Sequence, residues 1–274
     1  MQKSRDFSST RSADERTSDN DEPGHTRDAA RRRRVTPPDN ANLAPPLEAA
    51  SVRIGIVGAG HIGSNCARLF TRAGHRVLLS YSRTPERLTG LAHELGNRAA
   101  VVSPREAVVD ADLTVIAVPW LTIDDAIAQV GSFDGRIVID TSNQFGTTGT
   151  ITLASTAARH NAQRMTDARY TKSFNTLTAA FQAEASNRTG DDRVVQWVCG
   201  DDGPAKRTVM ELIDDIGYVA VDVGGLDDAA VMEAPRRAGA VYGEEYRLPD
   251  ARNVVAALRQ RTPIPPTPSY ATSR

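Results

Sequence analysis

The chain reads as a doubly wound parallel α/β sheet with a small α/β C-terminal extension, and three observations lead there. Short apolar runs alternate with helical patterns from Ser51 onward. The first run, Val52–Val57, passes straight into Gly58-Ala-Gly60-His-Ile-Gly63 and a helical pattern. Apolar strands also keep appearing beyond residue 150, so no long all-helical domain follows.

In order, a strand over Val52–Val57 leads into a helix over His61–Ala73, and Arg76–Tyr81 is the second strand. Pro85–Leu95 is helical, with Pro85 at the first position and Thr84 as its N-cap. A short strand at Ala99–Val102 and a short helix at Pro104–Val109 precede Leu113–Val118, whose unbroken apolar run suits a strand buried on both faces. A helix over Thr122–Val130 and a strand over Arg136–Asp140 complete residues 51–150, the expected dinucleotide-binding core. Residues 151–246 are expected to complete the sheet and the substrate side, with helix at Ile151–Ala162, strands at Tyr170–Phe174, Val194–Cys199 and Val219–Val223, and helix at Pro204–Ile216 and near Leu226–Ala240. Residues 247–274 hold a last helix, near Ala251–Gln260, and a Pro-rich tail from Thr262.

Each glycine of the loop has a separate task. Gly58 permits the tight turn out of the strand, Gly60 lets the backbone approach a pyrophosphate, and Gly63 lets the helix pack closely on the sheet. The helix start adds unpaired N–H groups and a favourable field for phosphate. Strand before and helix after favour a dinucleotide site over a glycine-rich strand–helix turn with no ligand.

The choice of dinucleotide is read at the tip of the second strand. An NAD site carries a carboxylate there for the ribose 2′-hydroxyl. Here the residues are Ser80-Tyr-Ser-Arg-Thr-Pro-Glu-Arg87. Arg83 and Arg87 lie one helical turn apart, and a guanidinium fork suits a phosphate. The spacing predicts NADP(H) over NAD(H).

Bulk properties exclude other classes. A net charge of −1 gives no general affinity for nucleic acid or membrane surfaces. No apolar run approaches the ~18 residues of a membrane helix. The two cysteines, Cys66 and Cys199, have no metal-type spacing and read as packed thiols of a cytoplasmic protein. Residues 1–50 are poor in large apolar side chains and read as a disordered tail, in which the basic run Arg31–Arg34 is not followed by the apolar segment of an export signal. No metal site is expected.

Six motifs in order resemble one known family: Gly58-Ala-Gly-His-Ile-Gly63, Leu79-Ser-Tyr-Ser-Arg83, Ala117-Val-Pro-Trp120, Val138-Ile-Asp-Thr-Ser-Asn143, Lys172-Ser-Phe-Asn-Thr176 and Val198-Cys-Gly-Asp-Asp202. Together they are similar to the NADPH-dependent reductases of the deazaflavin coenzyme F-420, from about Val52 to Tyr246. The resemblance implies a Rossmann domain with a small C-terminal portion helping to hold the deazaflavin, and hydride transfer between two stacked rings. It would place Gly58, His61, Ile62 and Gly63 on the pyrophosphate, Ser82, Arg83 and Arg87 on the 2′-phosphate, and Val118, Pro119 and Trp120 beside the path to the nicotinamide. His61 departs from the Asn common at its position, and the N-terminal tail is also unlike the family. Members are commonly dimers or larger, so a homodimer is possible.

Val118-Pro-Trp120 ends a buried strand at its carboxyl edge, where open α/β sheets bind ligands. Trp120 would stack on a ring there or cap the core. Asn143, Asn175 and Thr176 fall at or past strand ends, as substrate-side hydrogen-bonding groups or as turn residues. No acid–base constellation stands out, as hydride transfer between two cofactors allows. Lys172 reads as a surface residue flanking a strand, with proton donation to a carbonyl or imine as its alternative. Asp124 and Asp125 suit a helix start, Asp202 a cap, and His75 and His160 exposed positions. The other readings are an NADPH-dependent reductase of another small imine or carbonyl acceptor, and a non-catalytic NADP(H)-binding regulator.

Overall fold

The computed structural model describes residues 51–270; the expectations for residues 1–50, including the Arg31–Arg34 run, lie outside the described residues. The elements are β1 (Arg53–Val57), α1 (His61–Arg72), β2 (Arg76–Ser80), α2 (Pro85–Leu95), β3 (Ala99–Val101), α3 (Glu106–Val109), β4 (Leu113–Ile116), α4 (Ile123–Val130) and β5 (Ile137–Asp140). There follow α5 (Ala157–Arg164), β6 (Arg169–Lys172), α6 (Ala179–Ala185), β7 (Val195–Cys199), α7 (Gly203–Asp215), β8 (Val219–Gly224) and α8 (Leu248–Gln260). No helix among the described residues is long and apolar enough to cross a membrane.

One eight-stranded sheet runs β3-β2-β1-β4-β5-β6-β7-β8. Strands β1 to β6 are parallel. This is the doubly wound order, with its switch point where β1 meets β4. The expected doubly wound parallel sheet is present, with one antiparallel step in its extension: β7 pairs antiparallel with β6, while β8 runs parallel to β7. The connection between β6 and β7 carries α6 and a 3-10 turn over Gly190–Asp192.

Apolar clusters cover both faces. Ile54, Ile56, Leu79, Val115 and Ile139 meet Phe70 of α1 and Val209 of α7 on one side. Val57, Ile116, Val138, Trp197 and Val223 meet Ile123 of α4 and Val254 of α8 on the other. The unbroken burial of β4, Leu113 to Ile116, follows from having helices on both faces.

Four local expectations change. The helix expected from Ile151 begins only at Ala157; Thr156 is its cap, accepting from the Arg159 N–H, and residues 151–156 run to it as loop. Helix α6 was not expected, although Thr178 caps it by accepting from the Phe181 N–H. The stretch near Leu226–Ala240 is a 3-10 turn over Leu226–Met232 only, and Pro235 lies just past its end. Thr84 holds the N-cap position of α2, but its side chain makes no capping bond. Beyond α8, residues 262–270 add no helix or strand, yet Tyr270 docks by donating to Asp250 (2.7 Å) and accepting from the Arg247 N–H (2.9 Å).

His75 is also corrected, since it is buried, not exposed. Its ring sits edge-on to Phe70 and its Nε2 lies 3.5 Å from Asp215. Burial holds its pKa below the ordinary value against the pull of Asp215, with Arg98 adding to the depression. The folded state thus favours the neutral ring, so this contribution is present above the unfolded pKa of about 6.5 and is lost as pH falls below it. Urea denaturation from pH 8 to pH 5 should show stability declining below about pH 6.5, and His75→Asn should abolish that decline; a variant with the wild-type slope would assign it to another group.

Candidate functional site

The carboxyl ends of β1, β2 and β4 open onto a groove of about 340 Å³ lined by Gly58, Gly60, Tyr81, Ser82, Arg83, Arg87 and Val118, among others. Gly58 has a φ of +113°, and a Cβ there would lie 2.4 Å from the Ala117 carbonyl oxygen. A Cβ on Gly63 would lie 1.8 Å from the Gly58 carbonyl oxygen, so α1 packs directly on the loop. Gly60 differs: its nearest neighbour would be 4.0 Å away, and the residue is exposed to the groove. First and third glycines meet protein, and the second faces open space.

At the β2 tip, Arg83 and Arg87 are exposed and make no ion pair among the described residues. Ser82 turns back on its own loop, its Oγ accepting from the Thr84 N–H (3.1 Å) and donating to the Thr84 carbonyl (2.9 Å). His61 is exposed at the start of α1, with Ile62 half-buried beside it.

Val118 and Pro119 border both this groove and a second, larger cavity of about 820 Å³. Its wall combines Ile62, Trp120, Phe145, Phe174 and Phe181 with Asn143, Asn175 and Thr176. Thus the structure brings Ile62, Val118, Pro119, Trp120, Asn143, Asn175 and Thr176 to one cavity, while Gly58, Gly60, Ser82, Arg83 and Arg87 line the adjoining groove. Trp120 packs as a core aromatic, with the His160 ring 5.5 Å away and the Arg164 guanidinium 4.9 Å from its centroid, and still borders the cavity. The reading of the motifs missed Phe145, Phe181, Tyr242 and Arg236. Phe181 carried a signal in the Thr178 cap; Arg236 and Tyr242 reach the site from a loop distant in sequence and carried none.

Asn143 and Asn175 hold each other. The Asn143 Nδ2 donates to the Asn175 carbonyl (2.8 Å), and the Asn175 Nδ2 donates to Asn143 Oδ1 (3.1 Å) and to the Met232 carbonyl (2.7 Å). Asn143 Oδ1 also accepts from the Ala234 N–H (3.2 Å), which ties the 233–245 loop to the β5 tip.

Beneath them lies a buried charge cluster that corrects the reading of Lys172 as a surface residue. Lys172 and Asp140 both have fully buried side chains, with Nζ 3.2 Å from Asp140 Oδ2. That oxygen also accepts from the Tyr170 hydroxyl and from Asn161 Nδ2, while Oδ1 accepts from the Ser142 N–H (2.8 Å). Lys172 additionally donates to the Ser142 carbonyl. Burial alone would raise the Asp140 pKa, but Lys172, Tyr170, Asn161 and Ser142 outweigh it and hold the carboxyl below the usual range. Tyr170 moves the other way, pushed well up by burial and the Asp140 charge. Lys172 is fully buried and is not among the residues that line the larger cavity.

Other polar residues hold structural posts. Asp202 caps α7 by accepting from the Ala205 N–H (2.9 Å) and pairs with Arg169. The buried Glu233 carboxylate accepts from the Ala157 and Ala158 N–H groups at the start of α5. Burial pushes the Cys66 thiol up to about 12, and Cys199 is raised likewise. Among the described residues, no three His, Cys, Asp or Glu stand close enough to hold a metal ion.

Sheet order, glycine loop and adjoining cavities define a Rossmann-fold dinucleotide-binding protein. Residues 53–144 match the family model described as NADP oxidoreductase coenzyme F420-dependent. The chain is 28% identical over 212 residues to the metalloreductase STEAP3 of Rattus norvegicus, covering 74% of this chain and 39% of the relative, so it spans about two fifths of that protein. A solved hypothetical protein of Sinorhizobium meliloti is 29% identical, with a TM-score of 0.65 over 72% of this chain and 96% of that one. A structure from Arthrobacter sp. FB24, provisionally assigned as an F-420-dependent NADP reductase, shares the fold at 21% identity and a TM-score of 0.58, over 65% of this chain and 87% of that one.

Removing one member of a buried ion pair strands the other in low dielectric, at a cost of about 3–5 kcal/mol. Lys172→Met should therefore lose about that much stability in urea denaturation, and adding Asp140→Asn should recover part of it. A double variant losing the full sum would show that the two residues are not coupled.

Proposed function

We propose that the protein transfers a hydride between NADP(H) and a deazaflavin, coenzyme F-420, lying in the larger cavity. The observation that carries this reading is the shared wall at Val118 and Pro119. A ligand anchored at the Gly58–Arg87 groove that crosses it enters an apolar, aromatic-lined cavity large enough for a second flat ring.

The groove fits NADP(H). Gly60 leaves room for a pyrophosphate next to the start of α1, and Arg83 and Arg87 line the groove with no carboxylate paired to them among the described residues. When bound, NADPH supplies a hydride to the acceptor, which takes one proton from solvent and leaves NADP+. The protein's part is to hold the two rings face to face and to exclude water. In this reading Val118, Pro119 and Ile62 would meet the nucleotide, and Phe174 and Phe181 would supply apolar wall for the acceptor. The ionisable groups on the cavity wall are Arg236, Tyr242 and Glu245. Arg236 pairs with Glu244, Glu245 with Arg188, and burial raises the Tyr242 pKa. A wall with so little acid–base capacity suits a reaction that needs no proton donor at the reacting carbon.

The test mixes purified protein, NADPH and oxidised F-420 and follows the absorbance of both. Parallel loss supports the reading, and NADPH that persists with F-420 sinks it. The kinship to a metalloreductase favours one second reading, reduction of a different acceptor, which turnover with a ferric chelate or a cyclic imine but not with F-420 would select. Replacing Arg83 by Ala should weaken NADPH binding about 10- to 100-fold, the worth of a charge-assisted bond, while hardly changing NADH affinity. An unchanged preference in titrations of the two nucleotides would remove Arg83 from the 2′-phosphate.

A further inference from the structure

We infer that Tyr81, at the tip of β2, is the surface on which the base of the bound nucleotide stacks, so that the groove reads the base by its face and not by its edge. The inference rests on reading that groove as the NADP(H) site.

Among the described residues, the non-glycine positions with a left-handed backbone are Tyr81, Asp134, Phe174 and Arg261. Three of them have a local or core reason. Asp134 precedes Gly135 in a tight turn closed by the Arg136 N–H on the Phe133 carbonyl (2.9 Å), a turn that suits Asp-Gly. Arg261 is the C-cap of α8. Phe174 is fully buried and stands edge-on to Phe70, with ring centroids 6.1 Å apart. Tyr81 is only half-buried and closes no hydrogen-bonded turn among the described residues. At its φ of +55° a bulky side chain crowds its own backbone, a cost that persists where the surroundings impose it and that gathers at ligand sites. Tyr81 packs against the core cluster that includes Val118, and it also lines the nucleotide groove. No other aromatic residue lines that groove among the described residues.

The ribose fixes what Tyr81 meets. Arg83 lies two residues further on, and the sugar whose 2′-phosphate it takes carries the base on the adjoining carbon, so the base falls beside the β2 tip. The faces of a purine are flat and weakly solvated, and an aromatic ring is their best partner. The edge of the base finds much less. The groove wall holds no Asn, Gln, Asp or Glu among the described residues. The Ser82 hydroxyl is engaged with the Thr84 backbone, and the Thr122 hydroxyl donates to the Pro119 carbonyl (3.0 Å). Stacking tolerates any base, because every base has such a face. The groove therefore selects a 2′-phosphorylated purine nucleotide whatever groups the six-membered edge of the purine carries.

The test titrates the full chain with NADP+, with its hypoxanthine analogue and with 2′,5′-ADP. Wild type should bind NADP+ and the hypoxanthine analogue within about threefold of each other, since only the edge differs. Tyr81→Asn, which tolerates the left-handed backbone but has no ring, should weaken all three ligands by a similar factor of about ten. Tyr81→Phe should retain wild-type binding. A second readout needs no ligand: Tyr81→Gly should melt about 2–4 °C above Tyr81→Ala, because both lack the ring and only glycine is free at this φ. The inference is overturned if Tyr81→Asn binds NADP+ as wild type does, or if Tyr81→Phe loses as much as Tyr81→Asn, which would give the role to the hydroxyl. It is overturned too if wild type disfavours the hypoxanthine analogue by tenfold or more, or if Tyr81→Ala melts as high as Tyr81→Gly. A wild type that binds none of the three ligands overturns the NADP(H) reading of the groove as well, whereas indifference of the Tyr81 variants alone leaves that reading standing.

Discussion

The buried pair of Asp140 and Lys172 is the constraint on which the site depends. It joins the ends of neighbouring strands β5 and β6, and the two charges are in register as paired residues. Immediately beyond them the chain must leave the sheet twice, at 141–143 and at 173–176, and both segments form cavity wall. The Lys172 bond to the Ser142 carbonyl and the Asp140 bond from the Ser142 N–H fix the first exit from both sides. With the β5 and β6 tips held, Asn143 and Asn175 meet and lock. Burying such a pair is costly, and its retention is intelligible as geometry at a ligand site and not as a stability device.

A second tie closes the site from above. The loop over residues 233–245 is anchored at Asn143 through the Ala234 N–H, at Thr176 through the Gly243 N–H, and at α5 through the Glu233 carboxylate. These bonds bring Arg236 and Tyr242 over the cavity, and Tyr242 meets Phe145 with ring centroids 6.5 Å apart. The nucleotide groove needs none of this apparatus: Gly58 and Gly63 shape it through backbone contacts within residues 58–117. The two halves of the site are thus built differently, one from a short local motif and the other from five segments far apart in sequence.

Much of the fold was legible because periodicity and punctuation agreed. Pro85 and Leu95 bound α2 as expected, and the apolar runs at Leu113 and Val195 are strands buried on both faces. Errors arose where a propensity had to be weighed against unseen partners. Ile151–Thr156 has no intrinsic bar to helix, but the N–H groups that Glu233 satisfies fix the start at Ala157. Lys172 and His75 were read as exposed because charge and polarity favour water, and only a neighbour such as Asp140 or a wall such as Phe70 reverses that.

What the sequence determined by itself was the local chemistry: a strand, three glycines, a helix, and two arginines one turn apart at the next strand tip. Those features act within a few residues of one another, so their meaning survives without knowledge of the fold. Only the tertiary structure decided that β7 reverses against β6, that Lys172 is a buried partner of Asp140, and that Asn143 and Asn175 bond each other beside the larger cavity. Each of these depends on which distant groups come to share a low-dielectric interior, and the energy of a polar atom there is set by its partners and not by its own identity.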